Sequence, residues 1–370
     1  MKYSFSAFGL LALAVLALSG CGGQTTGYSG LQGTWEITDS EMAFGEFAVG
    51  RVDYVSFDPA AGRATIYGSM EGSGLRGCNE TLVGFAGGNT ISFSYPSEGI
   101  CSLASSSYHY QQTGTDELVL SDALGRKAYL HKVSGLPPDA ACKKASFVGD
   151  PLEIGFDLAS NKLMAEGSFL WVVDRMGNAH RIDFAAASIG GGHLLSNSAY
   201  RYAFAMQSGS FWTTCRCGGN EKAKLVALGG TVSDTVDTAA LGRKINISAG
   251  TYDGRYLWLA GRSEDGKTVY LKIDSLANPN VLVDQAEFQL PVTALTYHDG
   301  HLWGLVRFGG FFKYRLVEFD PLTGSIMDSY DLPATKGKLF AFYGLASMNG
   351  DLYVLADRYR NEPRIYKLAY

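Results

Sequence analysis

The chain has 370 residues, 46% of them hydrophobic and only 18% charged, with a net charge of −5. That length allows two or three domains with real cores, and the acidic balance excludes non-specific nucleic-acid binding, which rests on positive charge. With 46 glycines, 21 tyrosines and 20 phenylalanines, the composition favours short strands and tight turns over helices.

Residues 1–20 open with Met1-Lys2, continue through an apolar run from Phe8 to Leu18 and end in small residues. A basic start, about ten apolar residues and a small-residue cut site mark a secretory signal peptide. The run is shorter than the ~20 residues a membrane span needs. Leu18-Ser19-Gly20-Cys21 resembles the lipobox of bacterial lipoproteins. The resemblance implies that Cys21 carries acyl chains, palmitate among them, and becomes the first residue of the mature protein. Several chains hold a protein stably on a bilayer, at about 0.8 kcal/mol per buried methylene. Gly22 after the cysteine implies, by the same resemblance, the outer membrane. Residues 21–30 read as a flexible tether, and the remainder is expected to be extracytoplasmic.

Residues 31–133 alternate short apolar runs with Gly, Pro, Asn and Asp, beginning at Gly33-Thr34-Trp35 and ending at Tyr129-Leu130. This meander predicts a small β-barrel or sandwich. Gly33-Thr34-Trp35, Gly77-Cys78-Asn79 and the Asn89-to-Phe93 segment followed by Cys101 resemble the META family of bacterial lipoproteins, with a generic lipocalin-like barrel as the alternative. Neither resemblance implies a particular activity. Gly72, Gly74 and Gly77 match the dinucleotide fingerprint by letter, but a β meander surrounds them in place of the strand–helix context that chemistry needs. They read as a glycine-rich turn. Residues 134–150, with Pro137-Pro138, are the expected linker.

Residues 151–370 hold a repeat. In residues 294–333 an inner strand is followed by the Asp299-Gly300 hairpin signal, a strand centred on Trp303, a third strand ending at Phe319-Asp320, and a fourth after Gly324. The same register places Trp171, Trp212, Trp258, Trp303 and Tyr353 at steps of 41, 46, 45 and 50 residues. Four-stranded units at this period predict a β-propeller. Five blades are expected, with six as the alternative. The last copy stops after its third strand, and the segment around Leu152 and Phe156 is expected to supply the fourth, closing the ring and removing open edges. The recurring aromatic is expected to pack between blades.

Arg175, Arg216, Arg262 and Arg307 each follow their tryptophan by four residues, and Arg358 follows Tyr353 by five. A ring of guanidinium groups on one face would bind an anionic partner such as a carboxylate, phosphate or polysaccharide. Pairing of each arginine with a neighbouring aspartate, Asp174 or Asp357, is the competing expectation. In an oxidising compartment Cys78 and Cys101, in one small barrel, are expected to form a disulfide. Cys215 and Cys217 are expected to form a tight local one; with no histidine nearby no metal is assigned. Cys142 has no obvious partner. His298-Asp299-Gly300-His301 reads as an exposed turn. No nucleophile elbow, zinc-binding His-Glu-x-x-His, phosphate loop or cofactor motif is present in the sequence.

Two functions are compatible with this pattern. One is a membrane-anchored binding or scaffold module, engaging an envelope protein or anionic ligand through its propeller. The other follows from a resemblance of the blade pattern to the five-bladed glutaminyl cyclases of plants and bacteria, which act on peptides. Those enzymes carry a glutamate beside an inner-strand glycine, and Val292 to Leu295 and Tyr343 to Leu345 contain none. No catalytic residue is therefore assigned.

Overall fold

The structure is a computed structural model; it describes residues 29–41, 50–70, 76–86, 89–94, 105–158, 162–195, 202–214, 222–277, 280–288, 290–308, 313–333, 341–357 and 363–370. The chain divides into two compact units, one ending at Ala141 and the other made mainly of residues 142–370.

The first unit is a closed barrel of eight strands in sequence order: β1 (Gly33–Ser40), β2 (Gly50–Asp58), β3 (Arg63–Met70), β4 (Arg76–Ala86), β5 (Thr90–Ser94), β6 (Ser105–Gln112), β7 (Glu117–Ser121) and β8 (Lys127–Val133). β8 returns to pair with β1, Trp35 opposite Lys132 and Ile37 opposite Leu130. Alternating residues point inward, as Leu118 and Leu120 do on β7 and Ala128 and Leu130 on β8. They fill the lumen together with Trp35, Phe57, Ile66, Ile91, Phe93 and Tyr108. Trp35 is fully buried and donates its indole N–H to the Leu31 carbonyl at 2.9 Å, so its polar atom is satisfied inside the core.

The second unit contains β9 (Lys143–Lys144), β10 (Ser146–Glu153) and five four-stranded blades. Blade I holds β11 (Met164–Glu166), β12 (Phe169–Val173), β13 (Asn178–Asp183), β14 (Ser188–Ile189) and β15 (His193–Leu194). Blade II is β16 (Tyr202–Gln207), β17 (Ser210–Thr214), β18 (Lys222–Ala227) and β19 (Val232–Asp237). Blade III is β20 (Ile245–Tyr252), β21 (Leu257–Ser263), β22 (Thr268–Asp274) and β23 (Val281–Phe288). Blade IV is β24 (Val292–His298), β25 (His301–Phe308), β26 (Lys313–Phe319) and β27 (Ile326–Asp331), with β9 added in parallel on its outer edge. Blade V is β28 (Ala341–Met348), β29 (Asp351–Asp357), β30 (Arg364–Ala369) and, from the far end of the unit, β10. Five sheets exclude the six-bladed alternative.

The expected closure is present: β10 pairs antiparallel with β30, Ser146 opposite Ala369 and Leu152 opposite Ile365. The closing strand starts at Ser146, inside the stretch expected as linker, and Phe147 stacks on Tyr366 with centroids 4.1 Å apart. Blade I explains why its copy is weak in the sequence. Its fourth strand is split by Gly190-Gly191-Gly192, and a Cβ on Gly192 would lie 2.7 Å from His180 and 2.8 Å from Asn178. Only glycine lets the backbone pass there.

The hydrophobic residues form five clusters in this unit, one at each seam between adjacent blades. The register aromatics sit in these seams as expected: Trp171 meets Phe211 of blade II edge-on at 5.6 Å, Trp258 stacks on Tyr297 of blade IV at 6.2 Å, and Tyr353 meets Phe184 of blade I at 4.9 Å. The aspartates that end the third strands cap the next turn. Asp274 accepts from the Leu276 and Ala277 amides, and Asp320 from the Leu322 amide and the Thr323 hydroxyl. Ile365, fully buried on β30, tests the closure. Ile365→Ala should lower the unfolding free energy by about 2–5 kcal/mol, whereas Met327→Ala, on an exposed outer strand, should change it by under about 0.5 kcal/mol. Denaturant titration followed by tryptophan fluorescence measures both.

Candidate functional site at the propeller axis

The inner strands β11, β16, β20, β24 and β28 contact one another in a closed ring around the axis. Four of them share a defect. Their pairing with the second strand slips by one residue between Ala203 and Ala205, Ile247 and Ala249, Val292 and Ala294, and Phe342 and Gly344. Each slip is a bulge that takes one residue out of the ladder, namely Phe204, Ser248, Thr293 and Tyr343. The side chains of Ser248 and Thr293 donate to neighbouring carbonyls, Ser248 to Val292 and Ala260 and Thr293 to Leu305. Their own carbonyls are released from the ladder.

Lys162, just before the inner strand of blade I, occupies that position. Its ammonium donates to the Ser248 carbonyl at 2.9 Å and to the Thr293 carbonyl. A side chain from blade I thereby ties blades III and IV. No carboxylate pairs with it among the described residues. Burial disfavours the charged form and pulls its pKa from 10.5 down to about 8. Lys162 lines one end of the axial channel with Leu163, Phe204, Gly250, Ala294 and Leu345. Gly250 is fixed by crowding, since a Cβ there would lie 2.5 Å from the Phe204 ring and 2.8 Å from the Trp258 carbonyl. The other end is lined by the hydroxyl side chains Thr251, Tyr252, Thr296, Tyr297 and Ser347. The space at the Lys162 end is water-sized, about 10 Å³, and that at the other end, about 50 Å³, has room for a few waters, so larger groups are confined to the two mouths.

Of the arginine series, the structure describes the side chains of Arg175 and Arg262. Arg262 pairs opposite Asn246, near the start of its inner strand, which puts it at the Lys162 end of its blade. It is exposed, makes no ion pair among the described residues and donates Nε to the Gly266 carbonyl at 3.1 Å. Arg175 lies in the turn after β12, at the same end of blade I, and pairs with Asp157 at 3.1 Å rather than with Asp174. Asp174 is turned to His180 at 2.9 Å and to Asn178, which hold its carboxyl below the usual range against burial. Arg307 is on β25 opposite Tyr314, again at that end, but its side chain lies outside the described residues, as do Arg216 and Arg358.

Cys142, for which the sequence offers no obvious partner, is disulfide-bonded. The side chain of Cys78, and Cys101, Cys215 and Cys217 entirely, lie outside the described residues, as do the signal peptide and Cys21. The turn at residues 298–301 departs from expectation at its first residue. Asp299 and Gly300 are exposed, with positive φ of 48° and 87°, but His298 is 3% exposed and packs edge-on against Trp303 and Tyr370. It is the last inner-strand residue and faces the seam. Lys162 and His298 were both missed by sequence reasoning. Neither position recurs as one residue type from blade to blade.

No protein-family model matches the chain, and no curated protein matches it. Solved structures do. The chain is similar to the glutaminyl cyclase of Myxococcus xanthus at 13% identity and a TM-score of 0.42, over 61% of this chain and 96% of that one. It is similar to BamB from Moraxella catarrhalis at 12% identity and a TM-score of 0.30, over 90% and 96%. It is also similar to the WD40 β-propeller domain of Doa1 at 13% identity and a TM-score of 0.33, over 90% and 96%.

A pH test follows from Lys162. Between its folded-state pKa of about 8 and the free value of 10.5, the unfolded chain holds a proton that the folded chain has shed. Stability rises with pH wherever the unfolded state binds more protons. Raising pH from about 8 toward 10.5 should therefore stabilise the wild type relative to Lys162→Met. Thermal unfolding of both proteins across that range measures the difference, and parallel curves would contradict it.

Proposed function

We propose that the chain is an extracytoplasmic lipoprotein, anchored in the outer membrane through acylated Cys21, that binds an anionic partner on the Lys162 face of its propeller. The partner is an envelope protein or a polysaccharide presenting a carboxylate or phosphate. Its N-terminal barrel is taken as META-like or lipocalin-like. The observation that carries the reading is Lys162: an ammonium at the ring's centre, held only by backbone carbonyls and without a carboxylate among the described residues. A charge removed from water without a counter-ion is costly. An incoming carboxylate or phosphate would supply that counter-ion and raise the lysine's pKa toward its ordinary value. Exposed Arg262, at the same end of blade III and free of any ion pair among the described residues, would extend the positive field around the mouth.

Melting temperature of the full chain in detergent, read against acetate, inorganic phosphate and a uronate oligosaccharide, tests the binding face. At a hundredfold excess over Kd, a ligand that binds only the folded state adds about 2.7 kcal/mol. At least one anion should stabilise the wild type and leave Lys162→Met unmoved; an equal response of both proteins, or of neither, would reject the site. The anchor is tested separately. Cys21→Ser should abolish incorporation of labelled palmitate and shift the protein out of the membrane fraction.

A further inference from the structure

In blades II and III the residue five before the register tryptophan satisfies the buried indole. Gln207 accepts from Trp212 Nε1 and Asp253 from Trp258 Nε1, each at 2.8 Å. The corresponding residue of blade IV is His298, and it does not do this. Trp303, 3% exposed, keeps an indole N–H without a partner. Leaving a buried donor unmade is unfavourable, so the orientation of His298 is set by something other than the blade's own packing.

That something is Ser347 in the next inner strand. His298 Nδ1 lies 2.8 Å from Ser347 Oγ, while Nε2 lies 2.7 Å from the Tyr370 hydroxyl and 3.4 Å from Asp299 Oδ2. A carboxylate only accepts, so Asp299 favours the tautomer with the proton on Nε2, where the tyrosine oxygen accepts it. Nδ1 is then left as the acceptor for the Ser347 hydroxyl. Ser347 lines the channel mouth opposite to Lys162, among Thr251, Tyr252, Thr296 and Tyr297. Its counterparts in the other inner strands are Ala165, Met206, Tyr252 and Tyr297. Serine and histidine therefore meet at one seam of the five. Asp299 is aimed by its left-handed turn conformation, φ 48°, that an Asp-Gly type I′ hairpin supplies.

We propose that Ser347 and His298 form a nucleophile–base pair, positioned by Asp299, that cleaves small carboxylic esters at this mouth of the channel. As Ser347 Oγ bonds to the ester carbonyl carbon, its proton passes to His298 Nδ1. The bond from that carbon to the alcohol oxygen breaks, and His298 returns the proton to the departing alkoxide, leaving the alcohol and an acyl-serine. Water, giving a proton to the same nitrogen, then attacks the acyl carbon. The bond to Oγ breaks, Oγ regains the proton and a carboxylic acid leaves. Because the space inward of Ser347 is about 50 Å³, room for a few waters, the acyl group must be short, and the alcohol portion stays on the solvent side.

Treating the full chain with a fluorophosphonate and with p-nitrophenyl acetate, and mapping the adduct by peptide mass spectrometry, tests the assignment. One adduct on Ser347 is expected, absent in Ser347→Ala. His298→Gln should slow its formation by about 10²-fold or more. Asp299→Asn, at an exposed turn, should slow it several-fold without moving the melting temperature, which a merely structural role would not produce, and Asp299→Glu should restore part of the rate. Absence of any Ser347 adduct in folded protein, or an unchanged labelling rate in both His298→Gln and Asp299→Asn, would overturn the proposal.

Discussion

The pairing of β10 with β30 is the constraint from which the rest of the propeller follows. It joins Ser146 to Ala369 across more than two hundred residues. Closing a loop of that length costs about 5 kcal/mol in chain entropy. The return is large enough. The seam between blades V and I contains Leu163, Leu170, Val172, Ile182, Leu355 and Ile365, all nearly fully buried, and each such side chain is worth about 1.5–3 kcal/mol. Without the closing strand, β30 would present an open edge, and open edges invite pairing with other chains. The parallel addition of β9 covers the outer edge of blade IV in the same spirit, with Lys143 bonded to Asp328 and lying over the Tyr330 ring.

Closure also creates an electrostatic problem and its answer. A five-fold ring packs inner strands tightly, and the bulges at Phe204, Ser248, Thr293 and Tyr343 let those strands curve around the axis at the expense of ladder bonds. Released carbonyls at the ring's centre need donors. Lys162 provides one for Ser248 and Thr293 from blade I, where no such slip occurs in the pairing of β11 with β12. One lysine thus serves as a strut and as the only cation held at the axis among the described residues.

The blades were legible because two kinds of residue must recur at fixed spacing. A large aromatic is needed wherever a second strand meets the next blade, which marked Trp171 through Tyr353. Asp-Gly and Asn-Gly turns are needed where φ is positive at both central residues, as at Asp299-Gly300 and Asn349-Gly350. The ring closure was legible because a missing fourth strand in the last copy demanded one from elsewhere. The barrel was legible through its short apolar runs separated by Gly, Pro, Asn and Asp turns. Lys162 was not, since a bulge has no residue signature and the carbonyls it frees belong to any sequence. The partner of Arg175 was hidden for a related reason. Asp157 comes from the segment that bridges Leu158 to Asp174, outside the repeat whose spacing exposed the arginine.

Recurrence in this chain therefore reports packing, and chemistry is better sought where a recurring solution is given up. Gln207 and Asp253 show what a blade does with the residue before its tryptophan when only stability is at stake: it satisfies the indole. His298 instead turns to Ser347 and Tyr370 and leaves Trp303 unsatisfied. Lys162 likewise carries a charge that the four other inner strands do without. Both exceptions line the axial channel or adjoin it, one at each mouth. Selection for stability alone would remove a stranded indole N–H and an uncompensated ammonium, because each lowers the margin of a fold held by a few kcal/mol. Each is a local cost in stability, and the two costs fall one at each mouth of the channel.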